Sequence, residues 1–262
     1  MNESLQINRE GRLMHIALNR PDRRNALNVD LCRALAAAFD EAEKDPGVGA
    51  ILLTGNGKSF CAGMDLSEAL VHDAGSLTDV QERIFTAGAN MTKPIVAAVH
   101  GAALAGGMGL VANCHIVLAD EGASFGLTEI RIGLWPFVIF RSVAAAIGER
   151  RAIELALTGQ FLGPNEAREY GLVHYIVEPG TVLDRAREIA VPLSQASPTA
   201  IQSGLTFVRK ARGKSWTEAG ELAREMREDV FRSADFQEGV RAFQEKRAPR
   251  WPSLGEVTEP RP

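Results

Sequence analysis

The stretch VAAVHGAALAGGMGLVA, Val96 to Ala112, decides how the rest of the chain is read. It begins as an apolar β-type run and then breaks at Gly101, Gly106, Gly107 and Gly109, with small or apolar residues between most of them. Glycine has no side chain, so backbone N–H groups there can come within hydrogen-bonding distance of a ligand. A helix opening near Gly107 would add the positive end of its dipole to those N–H groups. The stretch is a place to hold negative charge.

Two machines fit that description. Gly107-x-Gly109-x-x-Ala112 after a strand, with Glu129 about twenty residues on, matches a dinucleotide fingerprint. A dinucleotide unit normally opens a domain, whereas almost a hundred residues precede these glycines. Among them is a second backbone-rich turn, Phe60-Cys61-Ala62-Gly63-Met64-Asp65-Leu66, which a dinucleotide site leaves unused.

The FCAGMDL turn, the HGAALAGGMG segment from His100 to Gly109 and FGLTE from Phe125 to Glu129 together resemble the crotonase superfamily, the enoyl-CoA hydratase and isomerase group. The resemblance starts at NRPDRRNAL, Asn19 to Leu27, and ends at EGVRAFQEKR, Glu238 to Arg247, with order and spacing in agreement throughout. It implies an α/β fold: a spiral of ββα units over residues 1–200, then a C-terminal helical region over 201–262 that packs in a homotrimer or a homohexamer. It also implies an acyl-CoA substrate with no separate cofactor, and a place in fatty acid metabolism. The backbone N–H groups of Met64 and Gly106 map to the oxyanion hole, and Glu129 to the glutamate that serves as acid or base. Arg23, Arg24, Ala62, Asp65, Phe243 and Lys246 map to coenzyme A, where arginine suits phosphate. Leu66, Trp135 and Phe137 map to the acyl pocket. Asp65 has a structural alternative, capping the turn that follows it.

One departure from the family pattern bears on the reaction. The hydratases carry a second glutamate three residues after the second oxyanion-hole glycine, and that position is Gly109 here. A site with Glu129 alone would lack one of two groups that hold and activate water. It would retain the simpler chemistry of the single-glutamate Δ3,Δ2-enoyl-CoA isomerases, which AGGMGL and FGLTE also resemble: isomerisation, with lyase-type hydration as the alternative. The apolar run Ile130, Ile132, Leu134, Trp135, Pro136 and Phe137 is expected to desolvate Glu129 and raise its pKa.

Composition narrows the rest. The 262 residues suit one large domain or one domain with a helical appendage, and the net charge of −4 argues against a nucleic-acid partner. No apolar run approaches ~18 residues and the start MNESLQINRE lacks a secretory core, so a cytoplasmic protein without membrane partners is expected. Cys32, Cys61 and Cys114 are odd in number and far apart, as reduced thiols would be. No histidine shows metal-ligand spacing. His100 falls where the family usually has asparagine and is read as a structural hydrogen-bonding group; His115 carries no functional account.

Other readings compete. GNGKS at Gly55 to Ser59 fails as a phosphate loop, because Leu52 stands where its leading glycine belongs. Gly122-Ala123-Ser124-Phe125-Gly126 matches the serine-hydrolase nucleophile pattern, with His174 as the only later histidine. That would require a strand, a sharp turn and a helix just after Ser124. A non-catalytic acyl-CoA-binding member is a third class.

Periodicity predicts a hairpin from Leu5 to Leu18 about Glu10-Gly11 and a helix from Val29 to Lys44 capped by Asn28. It predicts a buried strand from Val48 to Thr54, a helix from Thr78 to Thr92, strands at His115 to Ala119 and Leu172 to Val177, and helices at Pro136 to Ile147 and Arg150 to Thr158. Three amphipathic helices follow, at Pro198 to Arg212, Thr217 to Phe231 and Ser233 to Gln244, the first capped by Ser197. Ser67 to Gly75 has no clear periodicity, and the stretch from there to Thr92 is expected to form a variable wall of the acyl pocket.

Overall fold

The computed structural model describes residues 4–68 and 74–254, with side chains in the second span from residue 78 onward. His72, most of the Ser67 to Gly75 stretch, and the tail prolines Pro260 and Pro262 therefore lie outside the described residues.

Among the described residues, nine strands form two sheets: β1 (Leu5–Glu10), β2 (Leu13–Leu18), β3 (Ala50–Gly55), β4 (Ile95–Val99), β5 (Ala102–Leu104), β6 (Ile116–Asp120), β7 (Ser124–Gly126), β8 (Phe161–Leu162) and β9 (Tyr175–Val177). The larger sheet runs β1-β2-β3-β4-β6-β9 and the smaller one β5-β7-β8. Only the β1–β2 hairpin is antiparallel in the larger sheet. Every residue of β3 and β4 is buried, as parallel strands covered on both faces must be. Alternation then divides them between two cores. Ile51 and Leu53 of β3 join the main core, whereas Ala50 and Leu52 face the opposite way.

The helices are α1 (Val29–Lys44), α2 (Ala74–Phe85), α3 (Ala87–Asn90), α4 (Gly106–Ala112), α5 (Phe137–Ile147), α6 (Glu149–Thr158), α7 (Pro164–Glu169), α8 (Val182–Ser194), α9 (Pro198–Ala211), α10 (Trp216–Arg232) and α11 (Ala234–Glu245). Helix α8 covers the second core with Val182, Ala186 and Ala190, one face at helical spacing. The Asn28 cap of α1 accepts from Leu31 N at 3.0 Å, and Ser197 at α9 accepts from Ala200 N at 3.1 Å, both as the sequence predicts. Among the described residues, no helix is long and apolar enough to cross a membrane.

The chain repeats one turn three times. A strand of the large sheet is followed by a short segment in the small sheet and then by a helix: β3, Cys61, α2; β4, β5, α4; β6, β7, α5. Cys61 bridges to Ala103 in β5, and Ala103 pairs with Phe125 in β7, so the three residues form one row across parallel segments. This is the ββα spiral.

Several boundaries differ from the sequence reading. The Thr78 to Thr92 helix is broken at Thr86 into α2 and α3. Gly88 there is pressed against the Asn113 carbonyl at the end of α4, where a side chain would collide with backbone. The last strand spans only Tyr175–Val177, because Leu172 and Val173 turn into the main core first. Helix α9 runs across residue 200, where the sequence reading places its division.

Candidate active site

From the row Cys61, Ala103, Phe125, three parallel segments leave the small sheet side by side. Three residues beyond each lie Met64, Gly106 and Thr128, with Glu129 next. Convergence follows from register alone.

Leu27 donates to Gly63 O at 2.7 Å and accepts from Asp65 N at 3.0 Å. Those two bonds flank Met64, so its own N–H stays outside the ladder. Gly106 opens α4, whose first backbone bond runs from Gly109 N to Ala105 O at 3.0 Å. The Gly106 N–H is thus one of the orphan donors of a helix start.

The two turns are in contact. A Cβ on Gly63 (φ +93°) would fall 2.7 Å from Ala105 Cβ and 3.4 Å from Gly106 N, so glycine is required there. Ala105 adopts φ 50°, ψ −121°, a costly conformation for a residue with a side chain. Its N–H is anchored to Gly126 O at 2.8 Å, which holds the Gly106 backbone beside the Gly63 turn.

Glu129 begins a short 3-10 helix, Glu129–Ile132. Its Oε2 is buried with no hydrogen-bond partner among the described residues. Burial pushes the carboxyl above the ordinary glutamate range, against the opposing pull of the Glu129 and Thr128 backbone N–H groups. Met64, Gly106 and Glu129 line one cavity of about 470 Å³, together with Ala62, Leu66, Trp135 and Phe137. Ile132, Leu134 and Pro136 line it too. Ile130 does not, a correction to the sequence reading: it packs toward Gly159 instead.

Gly109 is outside the lining. A Cβ there would lie 2.8 Å from Ile139 Cβ and 3.3 Å from Phe85 Cδ1. The space in which the family pattern puts a second glutamate is filled by Ile139 of α5.

Other sequence candidates fall elsewhere. The Asp65 side chain is committed inside the protein: Oδ1 accepts from Ser67 N and Oγ, and Oδ2 pairs with Arg20 at 2.9 Å. It caps a turn, the structural alternative open to it in the sequence. Arg23 and Arg24 are exposed and outside the cavity, although Arg24 O accepts from Ala62 N at 3.0 Å. Phe243 (85% exposed) and Lys246 stand at the end of α11. Phe243 lines a separate groove of about 420 Å³ among the C-terminal helices, away from Glu129.

The sequence reading missed four contributors. Arg20 donates to Ala26 O and pairs with Asp65. Asn25, fully buried at φ 55°, donates to the carbonyls of Asn56, Ser59 and Phe60. NRPDRRNAL is therefore a clamp on the Asn56 to Asp65 turn, legible only as a motif. Glu68 and Gln81 also line the cavity. The Glu68 carboxylate accepts from Asn28 Nδ2 and Val29 N, at the start of α1. Gln81 had a signal, a polar residue on the otherwise apolar face of Ile84 and Phe85.

The rival chemistry lacks its geometry. Ser124 lies within β7, donates from N to Gly101 O at 2.9 Å, and is followed by strand and not by a helix. His174 Nδ1 accepts from Val117 N at 3.1 Å, a structural bond. His100 Nε2 bonds Gly57 O at 2.9 Å, the role expected of it, and His115 Nδ1 accepts from Ile95 N at 2.9 Å. All three cysteines are free, their thiols pushed up to about 12 by burial.

Comparison with known proteins agrees with this architecture. An enoyl-CoA hydratase, EchA19, from Mycobacterium tuberculosis is 36% identical over 256 residues, covering 94% of this chain and 95% of that one. The 2,3-dehydroadipyl-CoA hydratase of Escherichia coli is 31% identical over 247 residues, covering 94% and 97%. The crystal structure of an enoyl-CoA hydratase from Mycobacterium smegmatis superposes with a TM-score of 0.90 at 29% identity, over 95% of this chain and 98% of that one. Residues 8–254 match the family model described as enoyl-CoA hydratase/isomerase, and with a ββα spiral that delivers three segments to one cavity, the chain is an enzyme of that family, within the crotonase superfamily.

Proposed function

We propose that the enzyme moves a double bond in an enoyl-CoA, converting a 3-enoyl to a 2-enoyl thioester with Glu129 as the only acid–base group. The thioester oxygen accepts from the N–H groups of Met64 and Gly106, which lowers the cost of forming the dienolate. Glu129 takes a proton from C2 and returns it at C4. Its raised pKa suits both halves of that exchange. Arg23 and Arg24 are assigned to the coenzyme A phosphates, and Ala62, Phe243 and Lys246 to the remainder of the cofactor moiety. Phe243 and Lys246 reach it only in an assembly, so the working unit is a trimer or a dimer of trimers.

One observation carries the choice of isomerisation. Glu129 holds a buried, unpartnered carboxylate oxygen in the cavity, while Ile139 occupies the space beside Gly109. Syn addition of water benefits from a carboxylate on each side of it, and loss of one such partner typically costs ~10²–10⁴ in rate. Hydration is the second reading, favoured by the names of the relatives. It would draw on Glu68 or Gln81 to hold the water.

The deciding assay offers the purified protein matched 3-enoyl-CoA and 2-enoyl-CoA substrates. Isomerisation is expected to exceed hydration by at least ~10-fold, set conservatively below the range for a missing acid–base partner. Rapid hydration without detectable isomerisation overturns the proposal. Gly109→Glu alone should overpack against Ile139 at a cost of ~1–3 kcal/mol, so a gain of hydration is expected only with Ile139→Ala in the same chain.

A further inference from the structure

The α2 wall carries a polar group that proton transfer at Glu129 leaves unused. Gln81 is only 8% exposed and lines the cavity, yet its side chain has no hydrogen-bond partner among the described residues. A primary amide brings two donors and an acceptor, and those of Gln81 are not among the buried side-chain atoms left without a partner, so they open onto the cavity. A ligand group in the cavity can therefore pair with them.

Position says which part of a ligand it would meet. Phe85, one turn along the same face, marks the oxyanion end, since its Cζ lies 3.1 Å from where a Cβ on Gly106 would be. Four residues of helix place Gln81 ~6 Å farther along the wall. An amide at that distance from the oxyanion end is within reach of the acyl chain beyond the thioester. Around it the cavity is otherwise largely apolar, with Leu66, Leu134 and Phe137 in its lining.

Charge narrows the chemistry further. Among the described lining residues there is no lysine or arginine, whereas Glu68 and Glu129 are both present. Among the described residues, a carboxylate on the acyl chain would enter beside two acidic groups without a counter-ion. A neutral hydrogen-bonding substituent meets no such penalty.

Building on the acyl-CoA assignment above, we propose that the substrate's acyl group carries a neutral hydrogen-bonding substituent, a hydroxyl or a carbonyl, and that Gln81 is the residue that selects it.

The test measures dissociation constants by calorimetry for saturated acyl-CoAs of one chain length. The set comprises the plain alkyl form, hydroxyl and oxo forms with the substituent moved along the chain from C4 outward, and the terminal carboxylate. At least one hydroxyl or oxo form is expected to bind ~10-fold more tightly than the alkyl form, the scale of one well-placed buried hydrogen bond. Gln81→Met, similar in volume but apolar, should invert that order by weakening the substituted ligand and strengthening the alkyl one. Three results overturn the proposal: alkyl binding as tight as every substituted form, a preference that survives Gln81→Met, or tightest binding of the carboxylate. The native comparison decides by itself should Gln81→Met not fold. Failure to bind any acyl-CoA would instead remove the acyl-CoA assignment, and is distinguishable because saturated ligands need no turnover.

Discussion

The spiral and the C-terminal helices spend their apolar residues differently. Strands β3 and β4 bury every residue, whereas α9 and α10 bury none. Trp216 is 96% exposed and Phe243 85%, and Val208 and Phe231 are exposed as well. Monomeric proteins rarely leave such faces open. The strands of the spiral are covered within one chain, and these helical faces are not. The cavity with Glu129 is lined by residues of the spiral, so changes on the exposed helical faces should act on it less than changes in its own lining.

The largest expected effect strikes the spiral at Glu129. Glu129→Gln should lower turnover by at least ~10²-fold while acyl-CoA affinity is nearly kept. Wild-type turnover in that variant would exclude the mechanism. Its stability should move the other way. Because burial raises the Glu129 pKa, the folded state favours the protonated form, and that advantage is lost as pH rises through the raised value. Glu129→Gln should therefore melt at a higher temperature than the native protein at neutral pH, with the gain vanishing below the ordinary glutamate range. In the native protein, activity should fall with acid at a pH above that ordinary range.

A comparable loss is expected at the second donor. Gly106→Pro deletes one N–H at the first residue of a helix, where proline is otherwise tolerated. Losing a single oxyanion donor typically costs ~10²–10³ in turnover. A folded Gly106→Pro enzyme with normal rates, established by circular dichroism and steady-state assay together, would mean that the thioester oxygen is held elsewhere.

The smallest effect on catalysis, and the sharpest on the comparison, comes from Trp216→Glu. Light scattering should find the native protein larger than one chain and the variant shifted toward the single chain, with a smaller loss of turnover than either change above. A native mass of one chain would mean that the exposed faces have another use.

How much of this was legible beforehand varied with the physics involved. Strands buried on both faces, helix caps and the Glu10-Gly11 hairpin follow from local rules, and they lie close to where periodicity puts them. That Met64, Gly106 and Glu129 share one cavity was legible because glycine-rich turns stand out in a sequence. The Asp65 and Ile130 assignments needed three-dimensional partners, Arg20 with Ser67 for one and the Gly159 turn for the other, which no spacing announces. Ile139 shows the limit best. It lies thirty positions from Gly109 and nothing in either segment tells that the two touch.

The row of Cys61, Ala103 and Phe125 has a consequence for how such an enzyme can change. Each turn of the spiral brings one segment to the cavity at nearly the same distance past the same line, so the scaffold works as a rack with three sockets. Exchanging the residue in a socket alters the chemistry without disturbing the pairing that aims it. Inserting a single residue between the row and a socket does the opposite, keeping every functional group and spoiling its direction. Engineering of this fold should accordingly tolerate substitution at Glu129 or beside Gly109 far better than any change of length between Cys61 and Met64, or between Ala103 and Gly106.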